Sequence, residues 1–201
     1  PYVEYGLIAI ILTLIIISGE IDLSIASMIA LTAVIFGTAY NAGLGMPISM
    51  LIALFSGTLC GLFNGILVTQ LQIPSIILTI GTLTLYRGIA QSLASDFSLG
   101  GYPSWFIGID YRYIGIVPIP VIIFTVFAIV VGFFLSSTIY GKQLYLIGTN
   151  PQTAKYSGIK VDRIKLLLFT LSGLVCGIAG VLTTSRLAVA RFNMATGAEL
   201  E

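Results

Sequence analysis

Two carboxylates, Glu20 and Asp22, stand in the stretch Ile15-Ile-Ile-Ser-Gly-Glu-Ile-Asp-Leu-Ser-Ile25, between two long apolar runs. An ionised side chain at mid-bilayer costs about 3 kcal/mol. The pair therefore either lies outside the hydrocarbon or acts within it. As an acid–base dyad it is unconvincing, and little else in the chain could do catalysis. The 201 residues contain no His, which removes His-based triads, His metal sites and imidazole proton transfer. Gly141-Lys142 lacks both the Gly five positions earlier and the following Ser/Thr of a phosphate-binding loop. Cys60 and Cys176 lie inside apolar runs and read as small buried hydrophobes rather than a disulfide. An intramembrane enzyme, a metal site and a nucleotide site within this chain are all set aside, and no cofactor is expected.

What must position these residues is set by composition. Hydrophobic residues make up 57% and charged ones 8%, against about 25% charged in soluble domains. Apolar runs of near-spanning length recur, so the fold class read here is an all-α polytopic membrane protein. A transmembrane barrel would show alternating segments of ~10 residues, and none is seen. Six apolar segments are expected: Tyr5–Ser18, Ile25–Tyr40, Pro47–Leu71, Ser75–Ser95, Pro118–Tyr140 and Leu166–Leu187. Pro47, Pro74 and Pro118 fall near segment starts, where a missing N–H is harmless. Residues 1–201 read as a single transmembrane domain. No basic region precedes residues 5–18, so no signal peptide is expected, and the chain reads as the middle of a longer protein.

Gly141–Lys165 holds Lys142, Lys155, Lys160, Arg163 and Lys165 against the single acid Asp162. By the positive-inside rule this loop is cytoplasmic. Alternation then puts Asp96–Val117 and Asn41–Met46 outside and Gln72–Pro74 inside. Arg186 and Arg191 fall outside, mildly against the assignment. The outer Asp96–Val117 connection carries Tyr102, Trp105, Phe106, Tyr111 and Tyr113, rings suited to the headgroup level.

Residues 5–41 as one straight helix would be roughly 55 Å long, nearly twice the hydrocarbon thickness. The chain must break, and Ser18-Gly19 is the place, with Asp22 or Ser24 as N-cap of the next helix. Two readings stand. One is an ordinary cytoplasmic turn. The other is a broken helix within membrane depth, tolerated where protein or a water-filled path surrounds it.

Gly57, Gly61 and Gly65 recur every four residues and make one smooth helix face for close packing. Ser56-Gly-Thr-Leu-Cys-Gly61 matches Ser172-Gly-Leu-Val-Cys-Gly177. The two copies run in opposite directions, which suggests inverted repeats; chance likeness of Gly-rich helices is the bland alternative. Asn64 lies beside the glycine face. Ser75, Thr79, Thr82 and Tyr86 form one polar stripe, which either lines a path or bonds back to its own helix. Arg87 is placed at the outer end, snorkelling to the interface.

Gly148-Thr-Asn-Pro-Gln-Thr-Ala-Lys-Tyr-Ser-Gly158 reads as a short, well-delimited helix in the basic loop. Asn150 is the N-cap, Pro151 the first residue, Lys155 near the end and Gly158 the stop. A connection between spans needs no such helix, whereas a docking partner could grip it.

These residues carry a resemblance. Gly19-Glu-Ile-Asp-Leu-Ser24 resembles the Gly-Gly-Ile-Asp-Leu-Ser signature of permease subunits of sugar ABC importers of the ribose, autoinducer-2 and rhamnose type. Gly61-Leu-Phe-Asn-Gly-Ile-Leu-Val68, Ile73–Thr82 and Tyr86-Arg-Gly88 are similar to that family's next blocks. Asn150–Ile159 resembles its cytoplasmic coupling segment, and Thr196-Gly-Ala-Glu-Leu200 its following outer block. The matches run in order over nearly the whole chain. The resemblance implies a multi-pass permease of the bacterial inner membrane that dimerises with itself or a sister subunit. A separate cytoplasmic ABC ATPase would power it and an extracytoplasmic sugar-binding protein would feed it, with no nucleic acid involved. On that analogy Asp22, Ser24 and Asn64, with Thr79 and Thr82, border the translocation path. Asn150, Pro151, Thr153, Ala154, Lys155 and Gly158 form the ATPase-coupling helix. Gly57, Gly61, Gly65, Gly173 and Gly177 remain packing residues. Glu20 departs from the usual second Gly, and Thr153-Ala154 stands where many members carry two Ala. The alternative function is an ATP-independent sugar facilitator or channel built on the same spans.

Overall fold

The computed structural model describes residues 3–95, 97–109 and 113–197. Its elements are α1 (Val3–Ile17), α2 (Ile25–Asn41), α3 (Met46–Thr69), α4 (Ser75–Ala94) and the short α5 (Ser104–Ile107). A two-strand hairpin follows, β1 (Tyr113–Ile114) and β2 (Val117–Pro118), and then α6 (Ile119–Ser137), α7 (Ile139–Thr149), α8 (Pro151–Tyr156) and α9 (Val161–Leu187). Four helices, α3, α4, α6 and α9, are long and apolar enough to cross a membrane. The all-α polytopic class holds, and each of the six expected apolar segments falls on a helix, α1 and α2 being shorter than the other four.

Two elements differ from expectation. The Gly141–Lys165 connection is largely helical. The fifth segment does not run on to Tyr140: the chain turns at Thr138, whose Oγ accepts from Gly141 N at 3.1 Å and starts α7. At the other end α9 begins at Val161, five residues before Leu166, because Asp162 sits in its first turn, favourable for the helix dipole.

Helix α9 is the hub, packed against α1, α2 and α3. It meets α3 antiparallel, backbone on backbone. A Cβ on Gly57 would strike the Gly173 carbonyl oxygen and lie 3.1 Å from Gly177 N. A Cβ on Gly173 would strike the Gly57 carbonyl oxygen and lie 2.8 Å from Gly61 N. The contact is thus reciprocal between matching positions of the two Ser-Gly-x-x-Cys-Gly copies. Gly61 is closed by the Phe169 carbonyl and Gly177 by Ala53 O at 3.2 Å, again matching positions. Gly65 continues the face against Leu166 and Phe169. A local two-fold relation of inverted segments follows from these pairs. The glycine faces permit the approach that small residues allow in membrane helices.

The end of the bundle opposite the basic loop is capped by aromatic packing. Phe106 and Tyr102 are buried on Phe36 of α2, with ring centroids 5.2 and 5.4 Å away, while Trp105 and Tyr113 stay exposed. The same cap is fastened by Ser185 Oγ donating to the Phe106 carbonyl and by the Leu99–Ala190 backbone pair. Tyr111 lies outside the described residues, as do residues 198–200 of the expected outer block. Arg87 does not snorkel: it turns to the protein and donates to the carbonyls of Phe192 (2.7 Å) and Met194 (2.9 Å). Two backbone acceptors of a non-helical turn outbid the interface.

Candidate functional site: the helix break and the cytoplasmic knob

The link between α1 and α2 is made by a glycine stop. Gly19 takes φ +82°, and the bonds Gly19 N→Ile16 O and Glu20 N→Ile15 O close a Schellman turn. Helices α1 and α2, of 15 and 17 residues, measure roughly 22 and 26 Å, each short of the ~30 Å hydrocarbon.

Asp22 is buried in this link. Its Oδ1 accepts from Ser24 N (2.9 Å) and Ser24 Oγ (2.6 Å), and its Oδ2 from Ser172 Oγ of α9 (3.3 Å). Ser24 Oγ accepts from Asn64 Nδ2 of α3 (2.9 Å), and Asn64 Oδ1 accepts from Tyr86 OH of α4 (2.9 Å), which also reaches Cys60 O. One hydrogen-bonded chain therefore ties the break to three helices. Asp22 folds an Asx turn onto Ser24 rather than capping α2, and the Ser24 side chain makes no cap bond either. Ser172 is the twelfth residue of α9, which sets Asp22 roughly 16 Å along that helix from its start. Asp22 thus reaches deeper into the bundle than the rest of the link, which touches Ser75, the first residue of α4, and Lys165 near the start of α9.

The α4 stripe turns inward onto the same link. Ser75 Oγ accepts from Ile21 N (3.2 Å), and Thr79 donates to Ser75 O (2.7 Å) with Ile21 O at 3.4 Å. Thr82 stays apart and, among the described residues, bonds only Thr79 O of its own helix. Beyond Tyr86, a groove of about 350 Å³ opens between α3 and α4, lined by Leu59, Cys60, Phe63, Leu85 and Tyr86.

The end of the bundle where the basic residues gather carries a knob. Asn150 Oδ1 accepts from Gln152 N and Thr153 N, both at 3.0 Å, and so caps α8. Gly158, at φ +82°, stops it with the bonds Gly158 N→Lys155 O and Ile159 N→Ala154 O. Ala154 is buried against Ile147 of α7 and Val161 of α9, while Thr153 and Tyr156 face out, Tyr156 at 92% exposure. Of the Thr153-Ala154 pair, then, the inward residue keeps the small side chain. Lys155 pairs with Asp162 at 3.0 Å on the surface.

Two contacts join the knob to the break. Gly148 of α7 lies so close to the Ile17 carbonyl that a Cβ there would strike the oxygen and lie 3.1 Å from Ile17 C. Lys165 of α9 forms a half-buried ion pair with Glu20. Sequence reasoning left Glu20 without a role and missed Ser172 and Tyr86 as partners of Asp22 and Asn64. The polar stripe held Tyr86, and the repeat held Ser172, but neither signal says which residue each would meet. Among the described residues no group of three or more His, Cys, Asp or Glu gathers to hold a metal.

The family model for the branched-chain amino acid transport system / permease component matches residues 3–201. The autoinducer 2 import system permease protein LsrD of Escherichia coli strain K12 is 34% identical over 201 residues, covering 96% of this chain and 60% of that protein. The protein of the same name from Shigella flexneri matches to the same extent. The chain spans 60% of the length of these relatives. No solved structure matches.

Proposed function

Since the chain belongs to the family of branched-chain amino acid transport system permease components, a family of multi-pass permeases of the bacterial inner membrane, we propose that it is the membrane-spanning subunit of an ABC importer. Its cargo is a monosaccharide or similar small sugar, in keeping with the autoinducer 2 import named for its relatives. It acts by alternating access as one half of a permease dimer. A separate cytoplasmic ATPase docks on α8, an external binding protein delivers the sugar, and the chain itself needs no cofactor.

The observation that carries this reading is the knob. A six-residue helix, capped by Asn150 and stopped by Gly158, is held rigidly by Ala154 while Thr153 and Tyr156 point outward. A connection between two spans requires no such element, but a motor needs a handle. Asp22, Ser24, Asn64, Thr79 and Thr82 are assigned to the wall of the path in a closed arrangement, where they bond one another or their own helix. Tilting α4 from α3 along the Leu59–Leu85 groove would open Asn64 and Tyr86 to the cargo.

The test replaces Asn150–Gly158 with a flexible linker in the full-length protein. The variant is expected to insert normally, to lose the ATPase that co-purifies with the parent, and to lose ATP-driven uptake of ribose or autoinducer 2. Unchanged uptake would sink the coupling role. A parent protein that passes either sugar in liposomes without ATP would make it a facilitator. Selective uptake of leucine or valine instead would replace the sugar assignment.

A further inference from the structure

Residues 17–22 are held from two sides. On the deep side, Asp22 is bonded to Ser24 and Ser172, and Ile21 N donates to Ser75 Oγ. On the cytoplasmic side, Gly148 sits on the Ile17 carbonyl and Lys165 pairs with Glu20. Lys165 and Ser172 are seven residues apart on α9, two helical turns, so both project from one face toward the break. The knob is in turn one packed unit, because Ile147, Ala154 and Val161 share a cluster. A displacement of α8 therefore cannot leave residues 17–22 where they are unless both cytoplasmic contacts part.

We propose that Glu20 and Lys165, together with the Gly148–Ile17 contact, are positioning residues that carry movement of α8 into the α1–α2 break and its polar network. This rests on the importer reading above. Glu20 then has a reason to stand where relatives in the resemblance carry glycine: the link gains a charged tether to α9. With both partners only about one-seventh exposed (13% and 15%), the pair is shielded from the screening that makes surface ion pairs weak.

The experiment uses the full-length permease reconstituted in proteoliposomes with its ATPase and binding protein, with ribose and autoinducer 2 as probes. Three quantities are read for each variant: ATPase retained on purification, ATP hydrolysed, and probe imported per ATP. Glu20→Gln and Lys165→Met are expected to keep the ATPase and its hydrolysis while import per ATP falls roughly tenfold, within the range of coupling between sites. The exchange E20K/K165E is expected to return to within about threefold of the parent, because it restores the attraction. Gly148→Ala, which removes the backbone seat instead of the charge, is expected to uncouple in the same way. The proposal fails if the single variants import as much per ATP as the parent. It fails also if the exchange is no better than the singles, or if the singles simply shed the ATPase, which is a folding or assembly effect. Those failures leave the importer reading intact. A parent that imports without ATP removes both.

Discussion

Asp22 accepts three hydrogen bonds in a fully enclosed setting and, among the described residues, pairs with no cation. Burying a charge costs several kcal/mol unless its surroundings offset it, and an amide could make the same bonds. In Asp22→Asn, Oδ1 still accepts from Ser24 and the NH₂ can donate to Ser172 Oγ. The turn therefore does not require the charge. The expected outcome is a variant that melts within about 2 °C of the parent yet imports several-fold more slowly. Thermal unfolding and uptake on one preparation check it, and wild-type uptake would reduce Asp22 to a turn former. Asn64 bears more of the fold. Asn64→Ala removes the link between Ser24 and Tyr86 and is expected to cost about 1–3 kcal/mol. Thr82→Val, at a hydroxyl bonded only to its own helix, is expected to cost less than about 1 kcal/mol. Equal losses in a denaturation series would mean that the network does not tie the helices together.

The pairing of α3 with α9 shows what an element-level reading of sequence can and cannot reach. Four-residue glycine spacing and the repeated Ser-Gly-x-x-Cys-Gly announce smooth, related faces. That Gly57 and Gly173 meet each other, each against the other's carbonyl, is a tertiary fact separated by more than a hundred residues of chain. Capping chemistry is local, and so α8 was legible to the residue: Asn150, Pro151 and Gly158 act within eight positions of one another. Helix α7 was not, because Ile139-Tyr-Gly-Lys-Gln-Leu-Tyr-Leu-Ile147 continues the apolar fifth segment and only the Thr138 cap separates them. The first turn of α9 was hidden for the opposite reason, since Asp162, Arg163 and Lys165 look like loop. The Asp22–Ser172 and Glu20–Lys165 pairs were beyond reach for want of any local signal. The glycine contact itself makes a sharp prediction. Gly61→Ala and Gly173→Ala must push backbones apart and are expected to lose about 1–3 kcal/mol. Gly132→Ala on α6, with open space around it, should lose nothing and gain up to about 1 kcal/mol in helix propensity. Similar melting shifts at all three sites would refute the backbone contact.

Over the whole molecule the charges sort by side once their partners are seen. Arg186, which counted against the topology, pairs with Glu4 at the outer ends of α9 and α1, and Arg191 donates to Ser98 Oγ in the outer connection at 2.7 Å. Both are held by protein partners, and these two cations stand against five around the knob. At the other end Lys142, Lys160 and Arg163 join the paired Lys155 and Lys165 around the knob. The packing agrees with the alternation: the α1–α2 break touches Ser75, Gly148 and Lys165, all of which lie on the side given to the cytoplasm. A strongly exposed residue on each face offers a direct test. Tyr156 beside the knob is 92% exposed and Ile116 in the β-hairpin turn is 93% exposed. In sealed right-side-out vesicles a membrane-impermeant maleimide should label Ile116→Cys and spare Tyr156→Cys until the membrane is opened. Cys60 and Cys176 should remain unlabelled in the parent, since Cys176 is buried and Cys60 faces the apolar α3–α4 groove. Labelling of Tyr156→Cys from outside would invert every span, and with it the side on which α8 could meet an ATPase.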